Sequence, residues 1–142
     1  MDSDVYKLFL RRFVDQVWER GNLTAIGHYV STRCIYHDVA LARDLCGPVE
    51  LTHYIEQFRT AIRNWHFQVE HVVSEGSTIG IRWIIEGAQD GPLAQLPPTS
   101  RPVQLIGITM YQLTGSKITE AWSCWNAATP SASSGSPSAP AT

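Results

Sequence analysis

The chain has 142 residues, enough for one ordinary domain and too few for two. Apolar residues make up 44% and charged residues 17%, with a formal net charge of -2, so a core can be buried and neither a disordered chain nor a phosphate-backbone binder fits. No apolar run reaches the roughly 18–20 residues of a membrane-spanning helix, and the opening MDSDVYKLFLRR lacks an apolar signal core, which predicts a cytoplasmic protein with no nucleic-acid or membrane partner.

Leu8, Phe9, Phe13, Val17 and Trp18 recur at helical spacing, with Arg11, Arg12, Asp15 and Glu19 mostly opposite them. Gly21 supplies the glycine expected just past a helix C-terminus. Asn22 or Thr24 is placed to cap a short second helix reaching about Val30. The segment CIYHDVA alternates and is rich in β-formers, predicting a strand from Cys34 to Val39. Gly47-Pro48 opens a third helix, with Leu51, Tyr54, Ile55, Phe58 and Ile62 as its buried stripe. From Trp65 the period changes to two, and HFQVEHVV, TIGIRWIIEG, PVQLIGITMYQL and KITEAWSCWN each predict a strand.

The breaks SEGS and LTGSK have hairpin chemistry, whereas AQDGPLAQLPPTSR is too long and Pro-rich for a tight turn and suits a flap or a plain surface loop. The stretch TPSASSGSPSAPAT, residues 129–142, carries no charge and no large side chain, so a flexible tail is expected beyond a functional domain at residues 1–128. Helix, helix, strand, helix and four meandering strands predict an α+β domain with helices on one sheet face. Cys34, Cys46 and Cys124 are odd in number with no CxxC spacing, which argues against a disulfide framework or a zinc site. The five histidines show no HxH or HExxH spacing, so no metal is expected.

Several short stretches together resemble the SnoaL-like polyketide cyclase family of the NTF2-like superfamily. They are Gly47-Pro48-Val49-Glu50, Trp65-His66-Phe67-Gln68-Val69-Glu70, Ile81-Arg82-Trp83 and Gly91-Pro92-Leu93. To these add Pro97-Pro98-Thr99-Ser100-Arg101-Pro102-Val103, Gly107-Ile108-Thr109 and Lys117-Ile118-Thr119-Glu120-Ala121-Trp122. The resemblance spans nearly the whole chain apart from the tail. It implies a cone: a curved antiparallel sheet with three N-terminal-half helices on its concave face around a deep apolar pocket, paired as a homodimer through the sheet. It also implies an intramolecular aldol ring closure of a polyketide that needs neither metal nor cofactor.

Such a reaction needs a base for the carbon beside a carbonyl and donors for the resulting enolate. In the strand from Cys34, Ile35, His37 and Val39 share one face, and Tyr36 and Asp38 the other. If the apolar face is the inner one, His37 is the pocket group and Asp38 the second choice. Trp83 is in phase with Ile79, Ile81 and Ile85 and is expected to wall the cavity, with Arg82 pointing out. Thr109 and Tyr111 share a face from which their hydroxyls would orient a carbonyl oxygen.

In the last strand Ile118, Glu120, Trp122, Cys124 and Asn126 share one phase, and no Asp or Glu follows Glu120. The resemblance implies an Asp near this strand. Ser123 and Asn126 are its counterparts here, and neither is an acid. Either Glu120 supplies the base, or His37 or Asp38 does, or the chain does not run this reaction. Trp122 is expected beside them as a substrate-binding wall. Two alternatives to a cyclase or isomerase follow: a non-catalytic module that holds a small apolar ligand, and a dimerisation domain with a vestigial pocket.

Overall fold

Residues 3–93 and 101–128 are described in the computed structural model. Helix α1 (Ser3–Phe13) buries Leu10 and Phe13, then widens into a π-helical turn over Val14–Glu19 that keeps Val14, Val17 and Trp18 on the core side. Gly21, at φ +72°, turns the chain away in a conformation that disfavours a Cβ. Arg59 Nη1 donates to the carbonyls of Trp18 (2.7 Å) and Glu19 (2.6 Å) at this helix end. The predicted second helix is a short 3-10 segment, Leu23–His28.

Strand β1 (Val30–Asp38) starts earlier than expected, and a two-residue strand β2 (Leu45–Cys46) precedes α2 (Gly47–Ala61). Pro48 sits in the first turn of α2, and all five residues of the predicted stripe are buried. Glu50 Oε1 accepts the Cys46 backbone N–H at 2.8 Å, which holds the Glu50 carboxyl below its usual range. Strands β3 (Ile62–Glu75), β4 (Thr78–Gln89), β5 (Pro102–Thr114) and β6 (Lys117–Ala128) then meander, turning at Gly76 and Gly115, both with positive φ.

Among the described residues these strands form one curved sheet in the order β2-β1-β6-β5-β4-β3. The expectation of a wholly antiparallel sheet needs one correction: β1 and β6 pair in parallel. Antiparallel neighbours can be joined by tight turns, but β1 and β6 are separated by most of the chain, and such a long crossover permits a parallel pair. Register shifts in β3 and between Gln112 and Leu113 mark bulges, which bend strands and strengthen their twist. Helices and concave face enclose the core, with Phe13 set edge-on to Tyr111 at 6.1 Å between ring centroids. Of the long break before β5, Asp90 and Gly91 donate backbone N–H groups to the Ala61 carbonyl and Leu93 is buried. The rest of the break expected to be a flap or a plain surface loop, residues 94–100, and the expected tail over 129–142 lie outside the described residues.

Candidate functional site

The cavity lies between the inner sheet face, α2 and the π-helical turn; in place of the expected deep pocket it is a slit between rings with a volume of about 10 Å³, so a ligand enters only by parting them. Its polar groups come from three strands and α2. On β1 the inward residues are Cys34, Tyr36 and Asp38, while Ile35 and Val39 are exposed. This corrects the expected phase, in which His37 faced inward with Ile35 and Val39. Counting apolar residues misleads here because the outer face is apolar too, as exposed Ile108, Met110 and Trp122 show.

Asp38 is 7% exposed, and its carboxylate is held by three donors. Oδ1 accepts the backbone N–H of Ala40 at 2.9 Å. Oδ2 accepts the Tyr54 hydroxyl at 2.5 Å and the Trp125 indole N–H at 3.2 Å. Burial, then the neighbouring Tyr36 and Asp38, pushes the Tyr54 hydroxyl well above the ordinary tyrosine range, so it stays protonated and donates.

Facing inward from the sheet is a second polar group. The Trp83 indole N–H donates to Thr109 Oγ1 at 2.9 Å, and Thr109 Oγ1 shares a hydrogen bond with Ser123 Oγ at 2.8 Å, these two being cross-strand partners. Tyr36 and Tyr111 line the same cavity beside them. Burial pushes both tyrosines far up, so they too remain neutral donors. Gly107 pairs with Trp83 on one side and Trp125 on the other, and a Cβ there would lie 2.2 Å from Trp83 Cζ2. Only a glycine lets the indole lie so close to the sheet.

Of the residues singled out in the sequence, the fold gathers Asp38, Trp83, Thr109, Tyr111 and Ser123 around the cavity. His37, Glu120, Trp122 and Asn126 are not among its lining. The bulge opposite Gln112 inserts Thr119, so Ile118 points in but Glu120, Trp122, Cys124 and Asn126 take the outer phase. There His37 Nε2 meets Glu120 Oε2 at 2.6 Å, its Nδ1 meets Asp44 Oδ1 at 3.0 Å, and its ring stacks on Trp122 at 5.6 Å. The Glu120 hydrogen bond, reinforced by Asp44, raises the His37 pKa above its ordinary value. Because the two carboxylates occupy opposite ring nitrogens, they do not converge as ligands, and no cluster of metal-ligating side chains occurs among the described residues.

The sequence reading missed Trp18, Tyr36, Tyr54, Phe58, Phe67, Ile85 and Trp125 as lining residues. Tyr54, a hydroxyl within the apolar stripe of α2, was the signal available for one of them. Burial, with the charge of Glu120 nearby, pushes the Cys34 thiol up to about 11, so it stays protonated and inert. No helix among the described residues is long and apolar enough to cross a membrane.

Comparison with known proteins agrees with this architecture. Among curated proteins, none matches the chain by sequence. TsrD from Streptomyces laurentii superposes with a TM-score of 0.77 at 15% identity, covering 89% of this chain and 91% of that one. A SnoaL-like polyketide cyclase from Agrobacterium tumefaciens gives 0.75 at 17% identity, over 89% and 93%. A hypothetical protein with a ketosteroid isomerase-like fold from Catenulispora acidiphila gives 0.66 at 19%, over 81% and 82%. The profile of the SnoaL-like polyketide cyclase family matches residues 9–132. The chain belongs to the SnoaL-like polyketide cyclase family, with its NTF2-like α+β fold.

Proposed function

We propose that this protein is a cofactor-free cyclase or isomerase, acting on a hydrophobic, carbonyl-rich small molecule of polyketide type. The observation that carries the reading is Asp38, the one buried carboxylate among the described residues, set in an aromatic cavity with the Thr109, Ser123, Tyr36 and Tyr111 hydroxyls on the same concave sheet face. Asp38 takes a proton from the carbon beside a carbonyl. The enolate oxygen lies against the neutral hydroxyl donors, which place positive ends of dipoles where charge develops. In a ring closure the enolate carbon attacks a second carbonyl of the same molecule, and the new alkoxide takes back the proton from Asp38. Trp83 and the other rings exclude water. In this assignment His37, Glu120, Trp122 and Asn126 act at the outer sheet face and not in proton transfer.

That outer face supports a homodimer. Ile35, Ile108, Met110 and Trp122 are exposed, and Met110 pairs directly with Trp122 and Ile108 with Cys124, so the apolar surface is continuous across strands. The cysteines Cys34, Cys46 and Cys124 are free thiols, which suits a reducing cytoplasm.

The test is deuterium exchange into, and ring closure of, a linear β-polyketone. Asp38→Asn keeps the shape but removes the base, and it is expected to lower both rates by about 10²-fold or more. A variant that exchanges at the wild-type rate refutes the assignment. The second reading, a module that binds without turning over, is favoured by the three donors already engaging Asp38. It predicts ligands that raise the melting temperature while no product forms.

A further inference from the structure

The rings around the cavity are arranged in a girdle. Trp83 and Phe67 lie 5.4 Å apart between centroids, Phe67 and Trp18 5.4 Å, Trp18 and Phe58 5.7 Å, and Phe58 and Trp125 5.5 Å. Trp125 and Trp83 are then brought to either side of Gly107, their shared cross-strand partner. The girdle borders a carboxylate whose three donors are all neutral: a hydroxyl, an indole N–H and a backbone N–H. Among the described residues no Lys, Arg or His lines this space.

A charge removed from water is costly unless an opposite charge accompanies it. Tyr36, Tyr54 and Tyr111 do not supply one, since burial holds all three in the neutral form. Aromatic faces carry the negative end of their quadrupole, so a ring that turns its face to the ligand adds to the field of Asp38, while Trp125 turns its N–H edge to the carboxylate. An anion entering here meets repulsion from both. A neutral ligand gains dispersion and burial alone, whereas an organic cation gains those and supplies the absent counter-charge. A bare metal ion would find one carboxylate and no further oxygen set of the kind it requires. An alkylated ammonium group is apolar on its outside and charged throughout, which matches rings and carboxylate together.

We propose that the ligand of this cavity is an organic cation, a carbonyl compound bearing an alkylated ammonium group that Asp38 and the aromatic girdle receive. The proposal rests on the reading of this cavity as the substrate site and deepens it. When Asp38 takes the substrate proton, the ammonium group keeps a counter-ion, because the negative charge passes to the enolate.

The experiment compares three probes of one shape on the full chain: choline, the neutral isostere 3,3-dimethylbutan-1-ol, and the anion 3,3-dimethylbutanoate. Binding is read by calorimetry and by fluorescence of the girdle tryptophans. Choline is expected to bind at least about tenfold more tightly than the alcohol, with the anion weakest. In Asp38→Asn that ratio should fall to about threefold or less. In Phe67→Leu, which leaves Asp38 in place, choline should weaken about fivefold. Thermal unfolding of each variant confirms that it is folded. Equal binding of choline and alcohol, tighter binding of the anion, no choline binding, or a preference that survives in Asp38→Asn each overturns the proposal. None of these outcomes touches exchange of a neutral polyketone by wild-type protein, so the proton-transfer reading stands or falls separately.

Discussion

Gly107→Ala tests the site through one atom. The added Cβ would sit 2.2, 2.6 and 2.7 Å from Cζ2, Cε2 and Cη2 of Trp83, where ordinary contact begins at 3.4 Å. Trp83 is 5% exposed, with Phe67 against it and its N–H bonded to Thr109, so the indole retreats only by entering the cavity. Overpacking of this kind costs about 1–3 kcal/mol. Loss of the Trp83–Thr109 hydrogen bond between buried partners adds about 1–2 kcal/mol. Against this, relief of the glycine's entropy returns about 0.5–1 kcal/mol. The net expectation is a loss of about 1–4 kcal/mol, read as a lower urea midpoint at constant m-value. In a Trp83→Phe background the clashing outer ring of the indole is gone, and the same alanine should cost under about 1 kcal/mol. A Gly107→Ala protein as stable as wild type refutes the reasoning, as does a full cost that persists beside Phe at position 83.

Two other outcomes probe the outer face. His37 has gained carboxylate partners, so its folded pKa lies above the ordinary value and the stability it contributes is complete below about pH 6.5. That contribution is lost as pH rises through the raised folded value. The melting-temperature difference between wild type and His37→Gln should therefore shrink from mildly acidic to alkaline pH, and a difference that does not vary with pH would falsify the assignment. Met110→Glu places a charge in the exposed apolar strip beside Trp122. Sedimentation should show a homodimer in wild type converted to monomer in this variant with the fold retained, and an unchanged assembly state would exclude this face as the seam.

Much of the fold follows from local pattern, and the site follows less. The stripe of α2, the hairpins at Gly76 and Gly115, and the inward run Ile79, Ile81, Trp83, Ile85 are all visible in spacing, because each obeys one uninterrupted period. The phase of β1 and β6 is not. In β6 a single inserted residue, Thr119, reverses every side chain after it, and Ser123 replaces Glu120 as the inward group. In β1 both faces are apolar enough that composition favours the wrong one, and the inward Asp38 looks unfavourable until Tyr54 and Trp125 are seen to bond it.

By itself, then, the sequence determined most of the helices and strands, the α+β order and the family, since these depend on neighbours within a few residues and on short motifs; it missed β2 and assigned Ile62, the first residue of β3, to the preceding helix. Only the tertiary structure decided which carboxylate the cavity holds. A residue's inward direction in a sheet depends on bulges and on partners far along the chain: Asp38 is met by groups from α2 and β6, while His37 next to it pairs outside with Glu120. Alternation places adjacent side chains on opposite faces, and pairing between distant strands decides which of the two faces is buried.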